Sequence, residues 1–510
     1  MGGTPIELAE IFTRATRGIE SPSVAVQVHL SNGLPAFNIV GLPETAVRES
    51  KERVRSALLN SHFEFPARRI TVNLAPAELP KDGGGYDLAI AMGILAASQQ
   101  IPTDALHHYE FVGELALSGA LRGIAAILPA AVACAARGKA LIVATENADS
   151  ARLVKGLRLF AADHLLAISA HLLGQKSLSL CSQKDHPTET SEPDNANQGE
   201  SSLNDVIGQD HAKRTLKIAA CGGHHTLFYG PPGAGKTMLA SRFPSILPSL
   251  SDDDALEVAV VYSVAGKALR KDFYTPPFRA PHHTASAAAL VGGGRHPRPG
   301  EISLAHLGVL FLDELPEFSR AVLEVLRQPL ESGEILISRV AAQLVYPARF
   351  QLLAAMNPCP CGYLGYPQCQ CTTEQIKRYR AKVSGPLMDR IDLQVQVLPI
   401  AKHALTDPHQ TGTQGDMAAL RATIVKSRRR QFARQGFLNS QLDSRALLKY
   451  CPLDKAQKAL MHHAIDHYNL STRSYYRVLR VARSIADLED IAKPKLQHYP
   501  EALSFRQPSA

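Results

Sequence analysis

Gly230-Pro231-Pro232-Gly233-Ala234-Gly235-Lys236-Thr237 fits G-x-x-x-x-G-K-[ST] at every fixed position. Glycines at these places let backbone N–H groups turn inward around phosphate oxygens. Lys236 is expected to reach β- and γ-phosphate oxygens, and the Thr237 hydroxyl to sit on Mg2+. Before the loop, Thr226–Tyr229 reads as a short apolar strand. After it, Lys236–Phe243 starts a helix whose positive end points at the same charge. A Gly/Pro-rich turn that matches by accident is the alternative, and the strand–loop–helix context argues against it.

Two further segments supply what phosphate chemistry needs. Val309-Leu310-Phe311-Leu312 reads as a buried strand that delivers Asp313 and Glu314 at its exposed end. Asp313 is expected to hold Mg2+ through water and Glu314 to polarise an attacking water. A strand that ends in a solvated acidic turn is the bland reading, weakened by the P-loop upstream. Ala354-Ala355-Met356-Asn357-Pro358 ends a third strand. A polar tip beside the loop lies near the γ-phosphate, so Asn357 is a candidate to orient that water, a role compatible with starting the Asn-Pro turn.

The chain has 510 residues, 45% hydrophobic and 20% charged, which suits a globular protein of roughly three domains. No apolar run reaches the ~20 residues of a membrane helix, and the Ala-rich Ile124–Ala136 reads as a buried helix. The N-terminus has no apolar signal core, so a cytoplasmic location with no membrane partner is expected. The net charge of +8 allows a nucleic-acid partner without proving one.

Gly174–Ser202 is polar and poor in apolar residues, and reads as a linker. It separates an α+β domain (1–173) from an ATPase core (203–400) and a helical C-terminal domain (401–510). In the first domain Ser23–Leu30 and Arg69–Leu74 read as strands, and Glu44–Asn60 and Tyr86–Ser98 as helices. Downstream, Glu334–Val340 and Leu344–Phe350 read as a β-hairpin whose second arm runs into Gln351–Met356. The pattern from about Ala418 to Asp490 is helical.

These pieces, in this order, resemble the AAA+ superfamily. Asp205-Val206-Ile207-Gly208-Gln209 is similar to its entry motif, Gly230–Thr237 to Walker A, Asp313-Glu314 to Walker B and Asn357 to sensor 1. Pro277-Phe278-Arg279-Ala280-Pro281-His282-His283-Thr284-Ala285-Ser286, Gly385-Pro386-Leu387-Met388-Asp389-Arg390-Ile391-Asp392 and the hairpin narrow the likeness to the magnesium-chelatase-like branch. Over essentially its whole length the chain resembles the YifB/ComM competence-protein family. The fold implied is α/β: an N-terminal Lon-protease-like α+β domain, a central AAA+ P-loop domain and a C-terminal helical lid of magnesium-chelatase type.

The resemblance implies a homo-oligomeric ring, usually a hexamer, with ATP and Mg2+ bound between subunits. Arg390 then matches the arginine finger that reaches a neighbour's γ-phosphate, its alternative being a local pair with Asp389 or Asp392. Arg473 matches the sensor 2 arginine of the lid, with Arg477 and Arg480 on the same helix as competitors. In the first domain, Lys81-Asp82-Gly83-Gly84-Gly85-Tyr86-Asp87 is similar to the Lon segment that carries the nucleophilic serine, and Gly85 stands at that place. The segment from Val112-Gly113-Glu114 through Ala131, similar to the part that carries Lon's lysine, contains no lysine. A Ser–Lys dyad needs both groups, so a non-proteolytic scaffold is expected.

Cys359, Cys361, Cys369 and Cys371 follow C-x-C-x7-C-x-C, and four thiolates in a short loop can close a tetrahedral, structural Zn2+ site. Free or redox-labile thiols are the alternative. Candidate DNA contacts are Arg279, His282, His283, Arg295 and Arg298 around Ala287–Gly300, a loop that Gly292-Gly293-Gly294 should make mobile. Further candidates are Arg339 on the hairpin and Lys426, Arg428, Arg429, Arg430 and Arg434 on a C-terminal helix. A basic helix run is as readily a solvated face, and His282 and His283 as readily buried. The expected function is a DNA motor, a branch-migration helicase for transforming DNA, acting on single-stranded, duplex or branched DNA with recombination proteins as candidate partners. A chelatase- or chaperone-type remodeller of a protein partner is the alternative, and Gly85 disfavours a protease.

Overall fold

Apolar residues alternate with polar ones along Ser23–Ser31 and Arg69–Ala75, so each strand buries one face and leaves the other partly open. In the computed structural model the described residues are 8–182, 202–270, 272–294, 297–339, 342–399, 416–468 and 470–506, the side chains of 339 and 342 aside. They form two units.

The first unit holds a seven-stranded mixed sheet in the order Ala36–Val40, Arg69–Ala75, Ser23–Ser31, Leu8–Arg14, Tyr109–Val112, Ala140–Ala144, Arg158–Ala162. The helix Asp87–Ala97 is apolar all round and buried along its whole length, while Thr45–Asn60 buries one stripe and exposes its charges. The polar stretch expected to be a linker from Gly174 begins later. Leu180 bridges Phe160, and the Cys181 N–H donates to the Leu159 carbonyl at 2.8 Å. Residues 183–201 of that stretch lie outside the described residues.

This unit also takes in Leu256–Phe273, drawn from the middle of the expected ATPase core. Ala259 and Val260 are buried in one cluster with Leu128, Ala131, Leu141 and Val143. The cause is apolar burial between segments more than a hundred residues apart.

In the second unit a five-stranded sheet runs Phe278–Arg279, Val309–Leu312, Gln351–Met356, Thr226–Tyr229, Leu393–Gln396. Every neighbouring pair is parallel. Val309–Leu312 and Gln351–Met356 are buried at every position, as a parallel sheet covered on both faces requires. The hairpin pairs Glu334–Arg339 with Ala342–Pro347 in a separate sheet. Its second arm does not run into Gln351–Met356. After Pro347 the chain turns away, the Ala348 N–H bonding to the Gly333 carbonyl and the Arg349 carbonyl accepting from Leu307.

The C-terminal part forms the helices Met417–Gln435, Ser444–Tyr450, Lys455–Tyr468, Thr472–Leu488 and His498–Ser504. Val478, Leu479, Val481, Ala482 and Ile485 pack with Leu216, Ala219 and Phe505. A fully buried Val, Leu or Ile contributes ~1.5–3 kcal/mol, so this stripe, more than helix propensity, holds Thr472–Leu488 against the helix Asp210–Gly222. Among the described residues no helix is long and apolar enough to cross a membrane.

Candidate nucleotide site

Parallel strands end together, so Tyr229, Leu312 and Met356 bring the P-loop, Asp313-Glu314 and Asn357 to one edge of the sheet. Thr226–Tyr229 pairs on one side with Leu353–Met356 and on the other with Leu393–Gln396, which puts the loop mid-edge. A Cβ at Gly230 would lie 2.1 Å from the Val397 carbonyl oxygen, so the loop leaves the strand where only glycine fits.

Lys236 is buried, and its ammonium donates to the Gly230 carbonyl at 2.8 Å, the Pro231 carbonyl at 2.9 Å and Asn357 Oδ1 at 3.1 Å. Burial pulls its pKa below the ordinary lysine value, and Asp313 and Glu314 oppose that pull. The Thr237 hydroxyl donates to Asp313 Oδ2 at 2.6 Å. Glu314 has φ +51°, an uncommon left-handed backbone for a non-glycine residue, and its N–H donates to Asp313 Oδ1 at 2.9 Å. That turn separates the two carboxylates: Asp313 faces Thr237, whereas Glu314 is more than half exposed with Oε2 3.3 Å from His283 Nδ1. The oxygen donors Thr237 and Asp313 suit a hard cation such as Mg2+, and the P-loop amides with Lys236 suit a polyphosphate.

Arg390 follows the short helix Gly385–Met388, and its guanidinium is held by Glu331 and the Pro386 carbonyl. It pairs with neither Asp389 nor Asp392. Arg477 is the residue that faces them, at 3.9 and 3.7 Å. Arg473 is exposed in the first turn of Thr472–Leu488, whereas Arg477 is buried and Arg480 donates to the Leu442 carbonyl.

Sequence reasoning missed the group that ties these parts together. Asp392 Oδ2 lies 2.9 Å from His224 Nδ1, and His224 Nε2 lies 2.7 Å from Ser484 Oγ. One buried carboxylate thus joins the Arg390 segment, the residue two before the P-loop strand and the lid helix. Burial raises its pKa, but the His224 hydrogen bond, with His225 and Arg477, overrides that and brings it down to about 2. Asp392 was legible only as a neighbour of Arg390, because His224 and Arg477 are distant in sequence.

The family description "Magnesium chelatase, subunit ChlI" matches residues 202–405, its C-terminal counterpart residues 414–506, and "Subunit ChlI of Mg-chelatase" residues 26–147. Protein YifB of Salmonella typhimurium is 47% identical over 98% of this chain and 97% of its own length. Competence protein ComM of Haemophilus influenzae is 47% identical over 98% of each. The chain belongs to the magnesium-chelatase-like YifB/ComM family. An AAA+ ATPase follows from that membership. Lon protease 2 of Bacillus subtilis is 28% identical over 27% of the chain, in accord with a Lon-like domain in the family's architecture.

In this family member a Cβ at Gly85 would meet Ile124 at 3.5 Å, an apolar neighbour that supplies no base. Lys81, buried, is spent on the Pro76 carbonyl.

The expected DNA contacts fare unevenly. Arg279 forks onto Glu301 at 2.6 and 2.7 Å. Lys426 and Arg430 close on Asp490, Arg434 forks onto Asp487 at 2.8 and 2.9 Å, and Arg428 donates to the Ala220 carbonyl at 2.8 Å. Arg428, Arg430 and Arg434 of the basic run are thus engaged within the chain, whereas Lys426 stays largely exposed beside Asp490. Arg429, Arg298 and His282 are exposed, and His283 is half-buried, so neither histidine is a core residue. Arg295 and the Arg339 side chain lie outside the described residues. Ala287–Gly300 contains a helix, Ala287–Val291, and a pairing of Gly292–Gly293 with Arg298–Pro299. A Cβ at Gly292 would lie 2.1 Å from the Arg298 carbonyl oxygen, so this glycine serves close approach, not the expected mobility.

Cys359, Cys361, Cys369 and Cys371 all offer sulfur atoms within 4.8 Å of one another, and all four are free thiols.

Proposed function

We propose that the chain is an ATP-driven ring motor that works on DNA, a branch-migration helicase in the integration of transforming DNA. The observation that carries this reading is the near-full-length likeness to the Haemophilus competence protein, joined to a complete set of P-loop, acidic and polar strand-end groups on one sheet edge. ATP with Mg2+, when bound, supplies the transferable phosphoryl group and its counter-charge. Lys236 then exchanges its carbonyl and Asn357 partners for phosphate oxygens, Thr237 and Asp313 hold the cation, and Asn357 orients the water that Glu314 polarises. Arg390 serves as the finger toward a neighbouring subunit in a hexamer, which requires it to leave Glu331. Arg473, exposed at the start of the lid helix, serves as sensor 2. The N-terminal domain is a scaffold without peptidase chemistry.

A remodeller of a protein partner is the second reading. It draws on the magnesium-chelatase matches and on how many candidate DNA-binding arginines are already paired within the chain. ATP turnover measured at low salt with branched, duplex and single-stranded DNA separates the two. A DNA motor is stimulated, and its binding weakens steeply as salt rises. Turnover and binding indifferent to all three DNAs would leave the remodeller.

A further inference from the structure

Between the strand Gln351–Met356 and the helix Thr373–Arg380 lies a stretch with no regular secondary structure, held by successive turns. The Gly362 N–H bonds to the Cys359 carbonyl, Tyr366 to Tyr363, and Cys369 to Tyr366. Irregular stretches of this length are uncommon in compact domains and are usually functional. Its four sulfurs converge: Cys359 to Cys361 is 3.3 Å, Cys361 to Cys369 3.7 Å and Cys359 to Cys369 3.9 Å.

Those separations discriminate between chemistries. A disulfide requires about 2.05 Å. Four sulfurs at about 2.3 Å from a central zinc stand about 3.8 Å apart along the edges of the tetrahedron. The observed edges bracket the second value. Cys359 is fully buried, where a lone thiolate would be costly and a metal-bound one is not.

The same loop touches the nucleotide site. Cys359 is two residues from Asn357, whose Oδ1 accepts from Lys236. A Cβ on Gly362 would lie 2.6 Å from Pro232 Cδ in the P-loop and 3.8 Å from Asn357 Cγ. The loop thus rests on both the P-loop and the residue expected to orient water.

We propose that Cys359, Cys361, Cys369 and Cys371 bind one structural zinc ion that presses the loop after Asn357 against Pro232 and so keeps Asn357 in register with Lys236. The zinc itself stands independently of the ATPase reading; its effect on turnover rests on that reading. With four thiolates bound, the metal has no open position and takes no part in the chemistry.

The test begins with the full-length chain, purified without chelator and analysed for metals. One zinc per chain is expected, and the Lys236→Ala variant should keep it while losing nucleotide binding. Cys361→Ser/Cys369→Ser should hold less than about a tenth of an equivalent. Should that variant fail to fold, stepwise mercurial titration of the wild-type chain provides the readout. Zinc release, followed with a chromogenic chelator, should track a fall of about ten- to a hundredfold in ATP turnover. Folded wild-type protein with no zinc, with iron in its place, or with a Cys359–Cys361 disulfide by mass spectrometry overturns the site. Zinc present but released with turnover unchanged overturns its bracing role. A chain that binds zinc and hydrolyses no ATP under any condition refutes the ATPase reading and leaves the metal site standing.

Discussion

Replacing Asp392 by asparagine removes one charge from the buried junction of P-loop strand, Arg390 segment and lid helix. The side chain keeps its shape, but Arg477 then faces a neutral group from a buried position, with only the longer contact to Asp389 left. At 3.7 Å and an effective dielectric of about 20, the lost attraction is about 4–5 kcal/mol before desolvation is set against it. The carboxyl gives a second route to the magnitude. Its pKa falls from the ordinary 3.8 to about 2 on folding, which contributes about 2.4 kcal/mol at neutral pH. Because the folded value lies below the unfolded one, this stability is complete above the unfolded pKa and disappears as pH falls through the folded one. We expect Asp392→Asn to cost about 2–4 kcal/mol and to lower the thermal midpoint by about 3–6 °C. The difference between variant and wild type should shrink to about half by pH 3. Scanning calorimetry at pH 7 and at intervals down to pH 3 reads both effects. Adding Arg477→Met to Asp392→Asn should recover part of the loss, since the unpaired buried cation goes with it. A variant that melts within about 1 °C of wild type at pH 7, or a gap that stays constant with pH, would refute the assignment.

Glu314→Gln should bind a fluorescent ATP analogue as wild type does while phosphate release falls about 10²–10⁴-fold; near-normal release would remove Glu314 from its role. Arg390→Ala should fold normally and lose turnover, yet regain part of it when mixed with Glu314→Gln subunits, because each supplies the group the other lacks across a shared site. Mixtures no more active than their components would count against completion in trans. Gly85→Ser has room for its side chain beside Ile124, so it should stay within about 1 kcal/mol of wild type and cleave no casein; peptidase activity would show that a base exists where none is seen.

The nucleotide site was largely readable because its signals are local. Thr226–Tyr229 and Val309–Leu312 occupy the spans that their apolar runs predict, each closed by the glycine or carboxylate that begins the functional turn. What escaped depends on distant partners. The row from Lys426 to Arg434 looks like a cationic face until Asp487, on another helix, and Asp490, in the turn that follows it, arrive beside it. The glycines 292–294 suggest freedom, and only the return of Arg298 shows that Gly292 makes room for a backbone. The linker's apparent start at Gly174 failed for the same reason, since its pairing to Leu159 and Phe160 cannot be inferred from composition.

The membership of Leu256–Phe273 in the first unit has a consequence during synthesis. When residue 182 leaves the ribosome, the sheet of that unit can form, but Leu128, Ala131 and Val143 still lack Ala259 and Val260 as neighbours. At ordinary bacterial elongation rates of about 5–20 residues per second, the missing segment follows several seconds later. Through that interval the nascent chain carries an uncovered apolar face. A truncation between residues 182 and 256 would leave that face permanently bare.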